Sequence, residues 1–156
     1  MKVIFLDIDG VLNHQKHYEW LIETDEPTPL QRTYPYTELN PKSCQLLNEI
    51  IKETGAEIVV SSSWRLDGEN RLNYLFKYFG LPRIYDITPC LNTARGIEIG
   101  AWLAAHPEVI DYVILDDDED MNVEQIPFFI KTNPYEDGSN EDVKERAIQI
   151  LKKELV

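Results

Sequence analysis

The sequence predicts an α/β domain built on a mostly parallel central sheet flanked by helices. Strand-like and helix-like segments alternate along the chain, and the strand-like runs are short, apolar and rich in β-branched residues. Three of those runs end in polar or ionisable residues: Asp7 and Asp9, Ser61 to Ser63, and Asp116 to Asp118. In parallel sheets ligands gather beyond the carboxyl ends of the strands, so these three groups are expected to converge.

In chain order, Lys2 to Leu6 reads as the first strand. Residues 14–40 read as a flap or irregular insertion with one short helix, because Pro27, Pro29 and Pro35 oppose regular structure. Asn40-Pro41 supplies an N-cap followed by proline at the first helical position. Leu46, Leu47, Ile50 and Ile51 share a face of that helix, and Gly55 ends it. Glu57 to Val60 is a second strand, Asp67 to Tyr78 a helix, Ile84 to Ile87 a short strand and Ile97 to Ala105 a helix. Tyr112 to Leu115 is a further strand and Phe128 to Lys131 an edge strand. The last helix has Asn140 as N-cap, acidic residues in its first turn, and Val143, Ala147, Ile150 and Leu151 on one face.

At 156 residues the chain is expected to be a single domain, 1–156, with a substantial core. Its formal net charge of -13 argues against non-specific binding of nucleic acid, whose phosphates repel an acidic surface. No stretch reaches the roughly 18 apolar residues of a membrane span, and Asp7 and Asp9 break the apolar N-terminus in a way a signal peptide does not. Cys44 and Cys90 lack zinc-like spacing and are expected to stay reduced in a cytoplasmic protein.

Asp7, Asp9, Asp116 and Asp117 brought together in a water-poor cleft call for a cation, and oxygen-only ligands select magnesium. Asp7 and Asp116 are the expected direct carboxylate ligands, with the Asp9 backbone carbonyl a further donor. A calcium-binding helix-loop-helix fails on spacing: with Gly10 at loop position six, Phe5 and Lys16 occupy positions that require acidic ligands. Ser61 offers a hydroxyl and backbone N–H groups to a phosphate oxygen, with Ser62 beside it. Arg95, in TARGIEIGAWL, offers a guanidinium near a helix N-terminus. Arg65 is a weaker candidate of the same type, and Trp64 and Trp102 read as core aromatics. This set describes phosphoryl transfer, with Asp7 attacking phosphorus and Asp9 acting as general acid and base.

At these residues the sequence resembles the haloacid dehalogenase (HAD) superfamily of magnesium-dependent phosphohydrolases. The carrying motifs are Asp7-Ile8-Asp9-Gly10-Val11, the strand ending at Ser61, Arg95 where most members have lysine, and Leu115-Asp116-Asp117. More narrowly, FLDIDGVLN, SSSWR, RGIEIGAWL and YVILDDDEDM resemble the small HAD domain of multi-enzyme RNA-repair proteins. The resemblance implies a Rossmann-like HAD fold, Asp7 as nucleophile, Asp9 as acid/base, Ser61 and Arg95 on phosphate, and Asp116 on magnesium. It leaves Asp117 or Asp120 as the outer-sphere metal contact. The second aspartate favours phosphate esters over dehalogenation, and the subgroup suggests a nucleotide or nucleic-acid terminal phosphate as substrate.

The intervals between motifs are too short for a large cap domain, so the protein is expected to be essentially capless and open to small phosphorylated molecules or polymer ends. Trp20, Tyr34 and Tyr36 either pin the 14–40 segment to the core, the plainer reading, or contact what enters. A non-catalytic phosphate-recognising module and a phosphotransferase to an alcohol are the alternatives to a phosphatase.

Overall fold

A computed structural model describes residues 1–24 and 39–153. Five strands, β1 (Lys2–Leu6), β2 (Glu57–Val60), β3 (Asp86–Ile87), β4 (Asp111–Asp116) and β5 (Phe129–Lys131), form one sheet in the order β3-β2-β1-β4-β5. Every pairing is parallel. The order reverses direction beside β1, so the β1–β4 boundary is the crevice where parallel α/β sheets bind ligands.

Alternation along the strands divides the core in two. Ile4, Leu6, Ile58, Val60, Val113 and Leu115 join the larger cluster with residues of the helices α2 (Pro41–Thr54), α3 (Glu69–Tyr78) and α5 (Glu141–Lys152). Val3, Phe5, Val59 and Ile114 face the other way, against Ile99 and Trp102 of helix α4 (Arg95–Ala104). Phe5 meets Trp102 edge-to-face with ring centroids 5.5 Å apart.

The caps fall where the sequence puts them. The Asn40 side chain accepts from the Lys42 N–H and that of Asn140 from the Val143 N–H, while Gly55 closes α2 with a left-handed φ of 70°. The helix expected over 67–78 forms as α3, starting two residues later, and a 3-10 turn over Ser63–Asp67 precedes it. The strand expected from Ile84 shortens to Asp86–Ile87, since the Ile84 N–H is taken by the Asn73 side chain. Helix α4 begins two residues earlier than expected, because the Asp120 carboxylate accepts the Arg95 N–H and caps it from a distant loop. A 3-10 helix over Val123–Phe128, which the sequence pattern does not announce, carries the chain into β5.

In the 14–40 interval the structure forms helix α1 (Gln15–Thr24), on which Trp20 is exposed. Residues 25–38 of the expected flap, with Tyr34 and Tyr36, lie outside the described residues. No helix among the described residues is long and apolar enough to cross a membrane.

Phe76 is completely buried in the larger cluster. Phe76→Ala should cost about 3–5 kcal/mol of stability, read as a lower midpoint in urea unfolding.

Candidate active site

The sheet continues its hydrogen bonding one residue past several strand ends, and this sets up the site. The Asp7 N–H donates to the Leu115 carbonyl at 3.0 Å, the Ser61 N–H to the Leu6 carbonyl at 3.0 Å, and the Thr132 N–H to the Asp116 carbonyl at 2.9 Å. Ser61, Asp7 and Asp116 therefore stand in one row across β2, β1 and β4. Their side chains continue the alternation of Val59, Phe5 and Ile114, which face α4. Arg95, the first residue of α4, meets them there. Its Nη1–H donates to Asp116 Oδ2 at 2.9 Å and lies 3.4 Å from Asp7 Oδ1.

Asp7, Asp116 and Asp117 each place one carboxylate oxygen within 4.8 Å of the others. Asp7 and Asp116 are buried, Asp116 to 1% exposure. Burial pushes the Asp7 carboxyl above its usual range against the pull of Arg95. Burial followed by the nearby Asp7 charge pushes Asp116 up as well, against the Asp118 N–H and Arg95. One guanidinium is thus too little positive charge for three acids in a confined space. The donors are all hard oxygens, a set that fits magnesium and not a thiolate-seeking metal.

Asp9 sits apart from this cluster and is exposed at the surface. Its Oδ1 accepts from the Asn13 amide at 3.0 Å and its Oδ2 from the Trp64 indole N–H at 2.9 Å. Ser61 is fully buried and its hydroxyl has no hydrogen-bond partner among the described residues. The Ser62 hydroxyl is also buried and accepts the Trp64 backbone N–H, capping the 3-10 turn. Asp120 is occupied as the cap of α4, through its side chain to the Arg95 N–H and its carbonyl to the Gly96 N–H. Asp117, rather than Asp120, is the third acid of the cluster.

One sequence-based assignment changes and another gains a contact. Arg65 is not positioned to bind an anion: it is buried, bonded to the Ser61 and Ser62 carbonyls at 2.7 and 2.8 Å, and paired with buried Glu98 at 2.9 Å. Trp64 packs on the larger cluster as expected, but its indole edge reaches Asp9 as well. Three supporting residues escaped the sequence reading. Asn13 also accepts the Gly10 N–H at 2.9 Å, and the Thr132 hydroxyl donates to the Gly10 carbonyl at 2.7 Å. Glu98 balances Arg65 and accepts the Leu91 N–H. The available signals were a polar residue just past the edge strand, Thr132, and an Asn closing a glycine turn, Asn13.

One cleft of about 610 Å³ reaches Asp117 and is lined by Asp118, Lys131, Thr132 and Asn133. Another of about 550 Å³ reaches Arg95 and is lined by Ser63, Cys90, Thr93 and Asp120.

An all-parallel sheet with buried aspartates at the carboxyl ends of β1 and β4, met by a cation at the head of a helix, is the arrangement of a haloacid dehalogenase-like domain. Residues 3–143 match the family model described as the HAD domain in Swiss Army Knife RNA repair proteins, and the chain belongs to that family. Membership carries a HAD-type phosphatase-like role in general terms. No curated protein and no solved structure matches the chain significantly.

Gly10 has φ +80°, and a Cβ there would stand 2.7 Å from Asp117 Cγ. Gly10→Ala should cost about 1–2 kcal/mol in backbone strain. Its lower midpoint in urea unfolding should show that cost.

Without a cation, Asp7 and Asp116 bind protons more tightly folded than unfolded. Their contribution to stability is therefore fully present below the ordinary carboxylate value of 3.8 and is lost as pH rises through about 6 for Asp7 and about 8 for Asp116. Thermal unfolding of cation-free protein across that window should show a downward slope. Asp116→Asn should flatten it.

Proposed function

We propose that this chain is a magnesium-dependent phosphomonoesterase that acts through an aspartyl-phosphate, with residues 1–156 forming one catalytic domain. The observation that carries the reading is the convergence of Asp7, Asp116 and Asp117 beneath the Arg95 guanidinium. Asp7, Asp116 and Asp117 would hold the magnesium, with the Asp9 carbonyl as a further donor. Once bound, the ion neutralises these carboxylates and the phosphoryl oxygens, so that one anion can approach another.

The chain's own groups perform the rest. An Asp7 carboxylate oxygen forms a bond to phosphorus as the ester P–O bond breaks. Asp9 gives its proton to the departing oxygen, then takes one from the water that attacks the acyl phosphate, releasing inorganic phosphate and restoring Asp7. Arg95 exchanges part of its contact with Asp116 for a phosphoryl oxygen. The unpaired Ser61 hydroxyl donates to another, and Ser62 holds the turn beside it.

The family's description speaks of RNA repair proteins, which favours a nucleotide or a nucleic-acid terminal phosphate as substrate. With a net charge of -13, recognition of such a substrate rests on local contacts and not on a broad basic surface. The proposal sets the enzyme in the cytoplasm, where Cys44 and Cys90 stay reduced.

Phosphate release from p-nitrophenyl phosphate, nucleoside monophosphates and 3′- or 5′-phosphorylated oligonucleotides should require magnesium and vanish with chelator. Asp7→Asn should lower turnover by about a thousandfold or more, since it removes the nucleophile. Absence of magnesium-dependent release from every substrate would sink the reading.

A further inference from the structure

Asp9 stands in the open with both carboxylate oxygens engaged by N–H donors from separate parts of the chain. Asn13 comes from the turn after β1, where its Oδ1 also ties down the Gly10 N–H. Trp64 comes from the 3-10 turn after β2, and that turn is braced at several points. The Ser62 hydroxyl caps it, and Arg65 clamps it to the Ser61 and Ser62 carbonyls. The buried pair with Glu98 then anchors it to α4. An isolated buried ion pair adds little net stability, so its value here is geometric. It fixes a rigid turn that presents one indole N–H to one carboxylate. An exposed aspartate would otherwise sample several rotamers.

We propose that Trp64 is a positioning residue for proton transfer: its indole N–H holds Asp9 in the orientation from which the carboxyl proton passes to the leaving oxygen as the P–O bond breaks. The inference rests on the reading of Asp9 as the acid. Protonation of Asp9 does not disrupt the arrangement, because a carboxylic acid keeps lone pairs for both N–H donors while its O–H turns toward the substrate. Misplacing a proton donor by about an ångström costs up to about a hundredfold. That cost falls on poor leaving groups, which need the proton, more than on good ones.

Trp64→Phe keeps the packed ring and removes only the N–H. The readout is kcat/KM, which reports formation of the phosphoenzyme, for β-glycerophosphate against p-nitrophenyl phosphate. The alkyl ester should lose about tenfold more than the aryl ester. An equal loss in both, or no loss in either, overturns the proposal and leaves the phosphatase reading standing, provided Asp9→Asn does shift the alkyl-to-aryl ratio. If Asp9→Asn leaves that ratio unmoved, the acid role fails and the inference falls with it. A second measurement needs no variant of Trp64. The chain has three tryptophans, and in Asp9→Ala the Trp64 indole N–H resonance should move while those of Trp20 and Trp102 hold. An unmoved Trp64 resonance overturns the contact itself.

Discussion

Negative charge held out of water is the constraint around which the molecule is arranged. Two aspartates at the ends of neighbouring strands are almost wholly withdrawn from solvent, and a third stands with them. Burial and mutual repulsion both favour the protonated acid, so the group is stable as three carboxylates only when positive charge is brought to it. Arg95 supplies one charge from the first turn of α4. The remaining deficit, together with donors that are all carboxylate oxygens, fits a small hard cation.

The sheet delivers this arrangement through register. Because the ladder runs one residue beyond β1 and β2, Asp7 and Ser61 come level with Asp116 at the end of β4, and the three polar side chains share a row and a face. A slip of one residue would turn Asp7 and Asp116 into the larger apolar cluster. The second layer is held by the Arg65–Glu98 pair, which ties the turn after β2 to the same helix that presents Arg95. The motif residues thus belong to one braced unit and not to independent loops.

Much of this was legible in the sequence. The apolar runs ending in Asp7, Ser61 and Asp116 give both the parallel sheet and the active edge, and the caps at Asn40 and Asn140 are local signals that tertiary structure leaves intact. Arg65 and Trp64 were harder because their roles are set by partners far along the chain. Glu98 lies 33 residues from Arg65, and Asp9 lies 55 from Trp64. A periodicity argument sees an arginine and an aromatic after a strand but not what faces them. The start of α4 was misplaced for the same reason, since its capping carboxylate is 25 residues downstream.

The central strand also governs how the chain is made. Of the five strands β1 is made before the others, yet its neighbours are β2 and β4, the latter beginning at Asp111. Until that segment has emerged, the middle of the sheet keeps an unpaired edge, and no nascent fragment contains both halves of the acidic cluster. Such wide separation between partners slows folding and prolongs exposure of an apolar strand. It also means that a truncated product lacking β4 carries Asp7 without the Asp116 and Asp117 that complete the acidic cluster.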